Sequence, residues 1–218
     1  MVLLQLGYAF QLPAADLASR YGSNFALSGG TQYLWPSNFM VGVEYQFLFG
    51  SQVKIDVLAS LRGPEGLIIG RDMQFASVFL RERGYTLKAS AGYLLAGPSE
   101  KARQGLLLQF GLGYLTHRIR IVDDFDSVTQ LSGDLIKGYD RKSGGLALSQ
   151  YIGYLYLDRD RLLNFHAGIE LTEGFTKSVR KFNYDTQMPD TDRRFDLLLG
   201  AKVGFIIPIG KNERVIYY

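Results

Sequence analysis

Few groups in this chain could do chemistry. His117 and His166 are the only histidines and there is no cysteine. That excludes a multi-histidine metal centre, a Cys-ligated metal and a thiol nucleophile. A hydrolase triad needs Ser, His and an acid facing one cavity. His166 reads as inward-facing, but Ser90 and Ser149 stand in no nucleophile-elbow or other recognisable context. The acidic stretch Asp123, Asp124, Asp126, Asp134 and Asp140 has neither the central Gly nor the terminal Glu of an EF-hand loop, so it reads as a solvated loop. No Gly-rich loop is placed to cradle a phosphate, and no cofactor is implied. What remains is Glu44, Glu170 and Asp196 set against Lys88 and Lys202, with Asn164 and His166 nearby. Brought into one confined space, these would form a near-neutral network with Lys88 and Lys202 paired to Glu44 and Glu170. A catalytic constellation is the competing reading, but structural networks routinely take this form. His117, beside Arg118 and Arg120, is expected to face headgroups or a loop.

The elements that must carry these residues are strands. Period-two alternation, the mark of a strand with two different faces, runs along the chain. At 39–49, Phe39, Val41, Val43, Tyr45, Phe47 and Phe49 alternate with Met40, Gly42, Glu44, Gln46 and Leu48. At 195–207 the large stripe is Phe195, Leu197, Leu199, Ala201, Val203, Phe205 and Ile207, against Asp196, Gly200, Lys202 and Gly204. Segments 24–35 and 84–95 separate in the same way, and 2–12, 105–121, 146–157 and 162–176 repeat the pattern with lapses. Eight strands are therefore predicted. Long connections (13–23, 50–83, 122–145, 177–194) alternate with short ones at Pro36-Ser37-Asn38, Gly97 to Arg103 and Asp158 to Arg161. This rhythm predicts an all-β, eight-stranded antiparallel up-and-down transmembrane β-barrel, closed and filled by its own side chains. The barrel is assigned to 1–209 and a short periplasmic tail to 210–218. Asp56 is expected to cap a short helix from Val57 to Arg62, Pro13 to Tyr21 to form a turn or two of helix, and Phe75 to Leu80 to extend the sheet.

A soluble lipocalin-like barrel also alternates, so charge placement must decide between water and lipid. Of 24 basic and 21 acidic residues, the predicted strands hold only Glu44, Lys88, Arg118, Arg120, Glu170, Glu173, Asp196 and Lys202. A water-facing sheet surface carries many more. The polar stripe is instead Gly, Ser, Thr, Gln and Asn, and aromatics recur near strand ends, as interfacial girdles do. No apolar run approaches the ~18 residues of a membrane helix, and a net charge of +3 does not argue for nucleic acid. The start, Met1 to Gln5, has no basic region or cleavage site. The chain is therefore read as the mature form of an exported protein of the bacterial outer membrane, its lipids being the first partner.

The strand layout resembles small outer-membrane barrels of the OmpA/OmpX type, particularly those of the Bacteroidota. Several stretches are closer to one group: Tyr8 to Ala18 (YAFQLPAADLA), Glu82-Arg83-Gly84-Tyr85, Lys137-Gly138-Tyr139-Asp140-Arg141, Gly145 to Leu148, Phe182-Asn183-Tyr184-Asp185-Thr186 and Gly204 to Pro208. With these the chain resembles the PorG-like barrels of the type IX secretion system. The resemblance implies a non-enzymatic component that anchors a periplasmic ring of PorK-like lipoprotein and PorN-like protein to the membrane. With no cysteine, any such contact would be noncovalent. The surfaces available for it are the periplasmic turns, at Glu100, Lys101, Arg103, Asp158, Arg159, Asp160 and Arg161, and the tail. There Tyr217 and Tyr218 could anchor in a partner groove or at the membrane interface. A stand-alone structural or adhesion barrel acting through its outer loops is the alternative.

Overall fold

The computed structural model describes residues 1–97, 102–158 and 163–209. Eight long strands are present: β1 (Val2–Ala15), β2 (Asn24–Leu34), β3 (Phe39–Gly50), β4 (Val78–Ala96), β5 (Ala102–Asp123), β6 (Ser143–Asp158), β7 (Asn164–Ser178) and β8 (Arg193–Ile209). Each pairs antiparallel with its neighbours in sequence, and β1 also pairs with β8, from Val2 opposite Ile209 to Ala15 opposite Asp196. This is the expected closed up-and-down barrel. Closure leaves no strand edge unpaired.

The register follows from the alternation. On β1, Leu4, Leu6, Tyr8, Phe10 and Leu12 face outwards, while Leu3, Gln5, Ala9 and Gln11 are buried. The same division holds round the ring, and the outcome is inside-out. Leu6 is 64% exposed and Phe205 69%, whereas Glu44, Lys88, Glu170 and Lys202 are at most 6% exposed. An apolar belt of this extent would be an aggregation surface in water. In a bilayer it is what a barrel requires.

The expected polar lumen is only part of the filling. Towards the short turns lies an apolar layer of Leu3, Leu34, Met40, Leu94, Leu107, Tyr151, Leu155, Leu157 and Ile206. A larger one near the long loops includes Leu17, Tyr21, Leu48, Leu115, Ile119 and Leu198. The polar groups are sandwiched between the two.

Most strands outrun the prediction at the long-loop end, β4 by the most. β4 begins at Val78, β5 reaches Asp123 and β1 reaches Ala15. The expected helix at 13–21 therefore shrinks to α1 (Asp16–Arg20), which drops Leu17 into the barrel mouth. The Asp16 carboxylate accepts from Phe195 N at 2.8 Å, clamping α1 to β8. The helix expected from Val57 to Arg62 with Asp56 as its cap is only a 3-10 turn at Ala59–Leu61, whose N-cap is Leu58; Asp56 instead accepts from Leu58 N at 3.1 Å just ahead of it. Of the expected extension at Phe75 to Leu80, Val78 to Leu80 do lengthen the sheet as the outer start of β4, while Phe75–Ala76 pairs with Ile68–Ile69 in a small separate hairpin. Above the barrel the loops fold into a cap: Val57, Leu58, Ile68, Val128, Leu131 and Tyr139 bury against the same cluster as the barrel mouth.

Candidate functional site

The central layer is a square of four ionised side chains from four strands. Lys88 on β4 forms a direct ion pair with Glu170 on β7 and lies 3.2 Å from Glu44 on β3. Lys202 on β8 donates to both Glu44 oxygens, at 2.6 and 2.7 Å, and sits 3.6 Å from Glu170. Gln5 adds a bond to Glu44 at 3.2 Å. Both lysines therefore bridge both carboxylates, as the charge count required. Two opposing pairs sum to zero, which is what makes four buried charges tolerable; losing one member would cost on the order of 3–5 kcal/mol.

Beneath the square, the His166 ring accepts or donates at Nδ1 to Tyr151 OH, 3.0 Å away. Gly204 makes room for that ring: a Cβ there would stand 2.3 Å from His166 Nε2. Tyr151 also places its ring 5.9 Å from Lys202 Nζ. It shares the inward stripe of its segment with Ala147, Ser149 and Gly153, but as a large aromatic among small residues it was not singled out from the sequence. Asn164 does not join the square. It lies at the short-turn end, where its Oδ1 accepts from Asp158 N at 2.8 Å and ties the ends of β6 and β7 together.

Asp196 was expected to face the lysines; it serves a second, separate cluster. It lies six residues from Lys202 along β8, roughly 20 Å away at strand rise. Arg20 Nη2 donates to its Oδ1 at 2.5 Å, and Thr176 Oγ1 to its Oδ2 at 2.6 Å. His117 Nε2 is also 2.9 Å from Oδ2. The headgroup-facing or loop-facing position expected for His117 is thus wrong. It is 1% exposed, inside the barrel, with its ring edge on Tyr21 at 5.6 Å. Odd positions of β5 point inwards with Leu107, Leu115 and Ile119, and His117 shares their parity.

Above this cluster sits Glu82, fully buried, with one oxygen accepting from Asn24 Nδ2 at 3.0 Å. Its neighbours Arg81 and Arg83 carry their charges outwards, so this level lies above the hydrocarbon zone, with Phe49 opposite Arg83. Burial pushes the Glu82 carboxyl up to about 7, against the lowering effects of the Asn24 bond and of Arg20 and Arg83.

Neither cluster assembles a nucleophile. His166 bonds Tyr151, His117 bonds Asp196, and Ser143 Oγ is engaged by Arg20 at 3.3 Å. No group of three or more His, Asp or Glu among the described residues could hold a metal. Of the proposed partner surface, Arg103 and Asp158 fall within the described residues. Arg103 is turned inwards to its own fold, donating from Nη2 to the Trp35 carbonyl at 2.6 Å and from Nε to Asn38 at 2.9 Å, and so ties β5 to the turn between β2 and β3. Glu100, Lys101, Arg159, Asp160, Arg161, Tyr217, Tyr218 and the whole 210–218 tail lie outside the described residues.

No protein-family model matches the chain, and no curated protein is similar to it at a significant level. Solved structures do match. Neisserial surface protein A superposes with a TM-score of 0.50 at 12% identity, covering 95% of this chain and 97% of that one. The fold is that of a small outer-membrane barrel. OprG from Pseudomonas aeruginosa (TM-score 0.46, 10% identity, 95% and 96% covered) and the attachment invasion locus protein Ail of Yersinia pestis (0.42, 10%, 94% and 97%) overlap less. With its lipid-facing girdle and internal ion pairs, this chain is a transmembrane β-barrel of the bacterial outer-membrane type.

Proposed function

We propose that the protein is a non-enzymatic outer-membrane component of the type IX secretion system, a fixed scaffold that anchors a periplasmic lipoprotein ring. The observation that carries the scaffold role is the lumen. Each member of its four-charge square meets two charges of the opposite sign, and an apolar layer closes the square on each side. A barrel filled in this way offers no path and no open site, so its work falls to its two ends. The secretion system itself is supported by the quoted sequence segments alone.

One observation favours the alternative, an adhesion or structural barrel acting through its outer loops. The resembling segments 137–141 and 182–186 meet in the outer cap. There Arg141 pairs with Asp185, Tyr184 N donates to the Gly138 carbonyl at 2.9 Å, and the Tyr139 and Tyr184 rings pack edge-on at 5.5 Å. A cap built this firmly is a surface that a partner outside the cell could read.

Cross-linking mass spectrometry on tagged protein, extracted gently from its native outer membrane, separates the two. Cross-links from Lys101 or Lys211 to a periplasmic lipoprotein are expected. A lone barrel, or cross-links confined to the outer loops, would overturn the anchor role.

A further inference from the structure

The outward face of β4 and β5, just above the aromatic girdle, has a charge pattern that folding alone does not explain. Arg81 stands directly opposite Arg120, and Arg83 opposite Arg118. Directly opposed side chains on a ladder are roughly 4.5–5.5 Å apart at Cβ, and like charges so placed are destabilising. Among the described residues none of the four forms a salt bridge, and neither does Lys142 beside them. Arg83 is half-buried and donates to the carbonyls of Glu82 at 2.6 Å and Gly50 at 3.5 Å. Burial, and then the positive charges of Arg120 and Arg81, pull its pKa below the usual arginine value.

A pocket of about 240 Å³ opens at this level, lined by Arg83, Arg118, Lys142, Tyr45, Phe47 and Tyr85. Its lower wall is aromatic and continuous with the lipid-facing belt: Tyr45 and Tyr85 stack at 5.9 Å. Its upper rim is cationic. We propose that this pocket binds the phosphate of an outer-leaflet glycolipid, with Arg83, Arg118 and Lys142 holding the headgroup and Tyr45, Phe47 and Tyr85 packing the first segment of an acyl chain. Three features point to a lipid. The cations stand above an aromatic wall, arginine is suited to bidentate binding of phosphate, and the apolar wall continues into the lipid-facing belt. A second opposed pair, Lys177 and Arg193, carries positive charge further round the rim. Lipid recognition here is independent of which partner the ends of the barrel hold.

The test uses the full chain refolded in neutral detergent, with lipopolysaccharide from the producing strain as probe and the rise in unfolding temperature as readout. Arg83→Gln with Arg118→Gln should bind at least about ten-fold more weakly than wild type. Without lipid the double variant should unfold at the same or a higher temperature, because an uncompensated repulsion is gone. Arg62→Gln, in an outer loop, should bind as wild type does. Phosphatase-treated lipopolysaccharide should lose the effect, and inorganic phosphate should not displace the intact lipid. Undiminished affinity in the folded double variant, equal binding of the dephosphorylated lipid, or displacement by inorganic phosphate would each overturn the proposal. Heat-modifiable gel mobility reports folding. Should the double variant fail to fold, Arg118→Gln alone, whose side chain has no bond to protein, carries the test, with a severalfold loss expected and no loss overturning it.

Discussion

Glu82 shows how a single side chain can make a membrane barrel sensitive to pH. Its carboxyl titrates near 7 when folded because burial disfavours its charge, and near the ordinary 4.5 when unfolded. Folding therefore retains a proton that the unfolded chain has released between those values, and stability falls as pH rises from about 4.5 through 7. The shift corresponds to at most about 3 kcal/mol, with Arg20, Arg83 and Asp196 contributing to the local field. Glu82→Gln should flatten this dependence and be more stable than wild type at pH 8, by about 2 kcal/mol, as read from urea midpoints in lipid at pH 4.5 and 8. A variant less stable than wild type at pH 8 would mean that the ionised carboxylate is itself stabilising. At this scale the sequence was legible where a charge stood alone on a small-residue stripe, as Glu44, Lys88, Glu170 and Lys202 do. It was illegible at His117, because the inner face of β5 there carries Leu115 and Ile119 while the outer one carries Arg118 and Arg120. The contrast between faces is reversed above the lipid, so the neighbouring arginines mislead. Arg20, the partner of Asp196, was hidden for another reason: it comes from a five-residue helix folded back into the mouth.

The elements were legible in proportion to their regularity. Strands with one lipid face and one small polar face declared themselves. Their outer extensions did not, because above the membrane both faces of β4 and β5 carry charges or mixed residues and the lipid no longer imposes a pattern. The junction of β1 and α1 shows what such an extension costs. Ala15 adopts φ 52 and ψ −137, a conformation that suits glycine and is costly for a residue with a Cβ. Its side chain is exposed, so nothing is lost by removing it. Ala15→Gly should raise stability by about 1 kcal/mol, seen as a higher urea midpoint with unchanged slope; a lower midpoint would show that Ala15 makes a contact worth more than its strain. The ion pairs Arg180–Asp140 and Arg141–Asp185 that brace the cap join loops far apart in sequence. Local pattern carries no trace of them.

At the scale of the whole molecule, the barrel inverts the usual order of a globular protein, with ionised groups at the centre and its largest apolar surface outside. Two apolar layers bracket the charged square, so the interior is a structural plug and the two ends remain for function. The short-turn end carries the candidate anchor for a periplasmic ring, the long-loop end a braced cap, and the rim between cap and bilayer a cationic pocket. The assignment of function to the ends rests on one claim, that nothing passes through the middle. Planar-bilayer recording on the refolded wild-type protein tests it most directly. The membrane should stay at its leak conductance, without discrete steps, while gels show the protein folded and inserted. Stable, voltage-independent single-channel steps from the intact barrel would contradict it, and would move the function from the ends into the lumen.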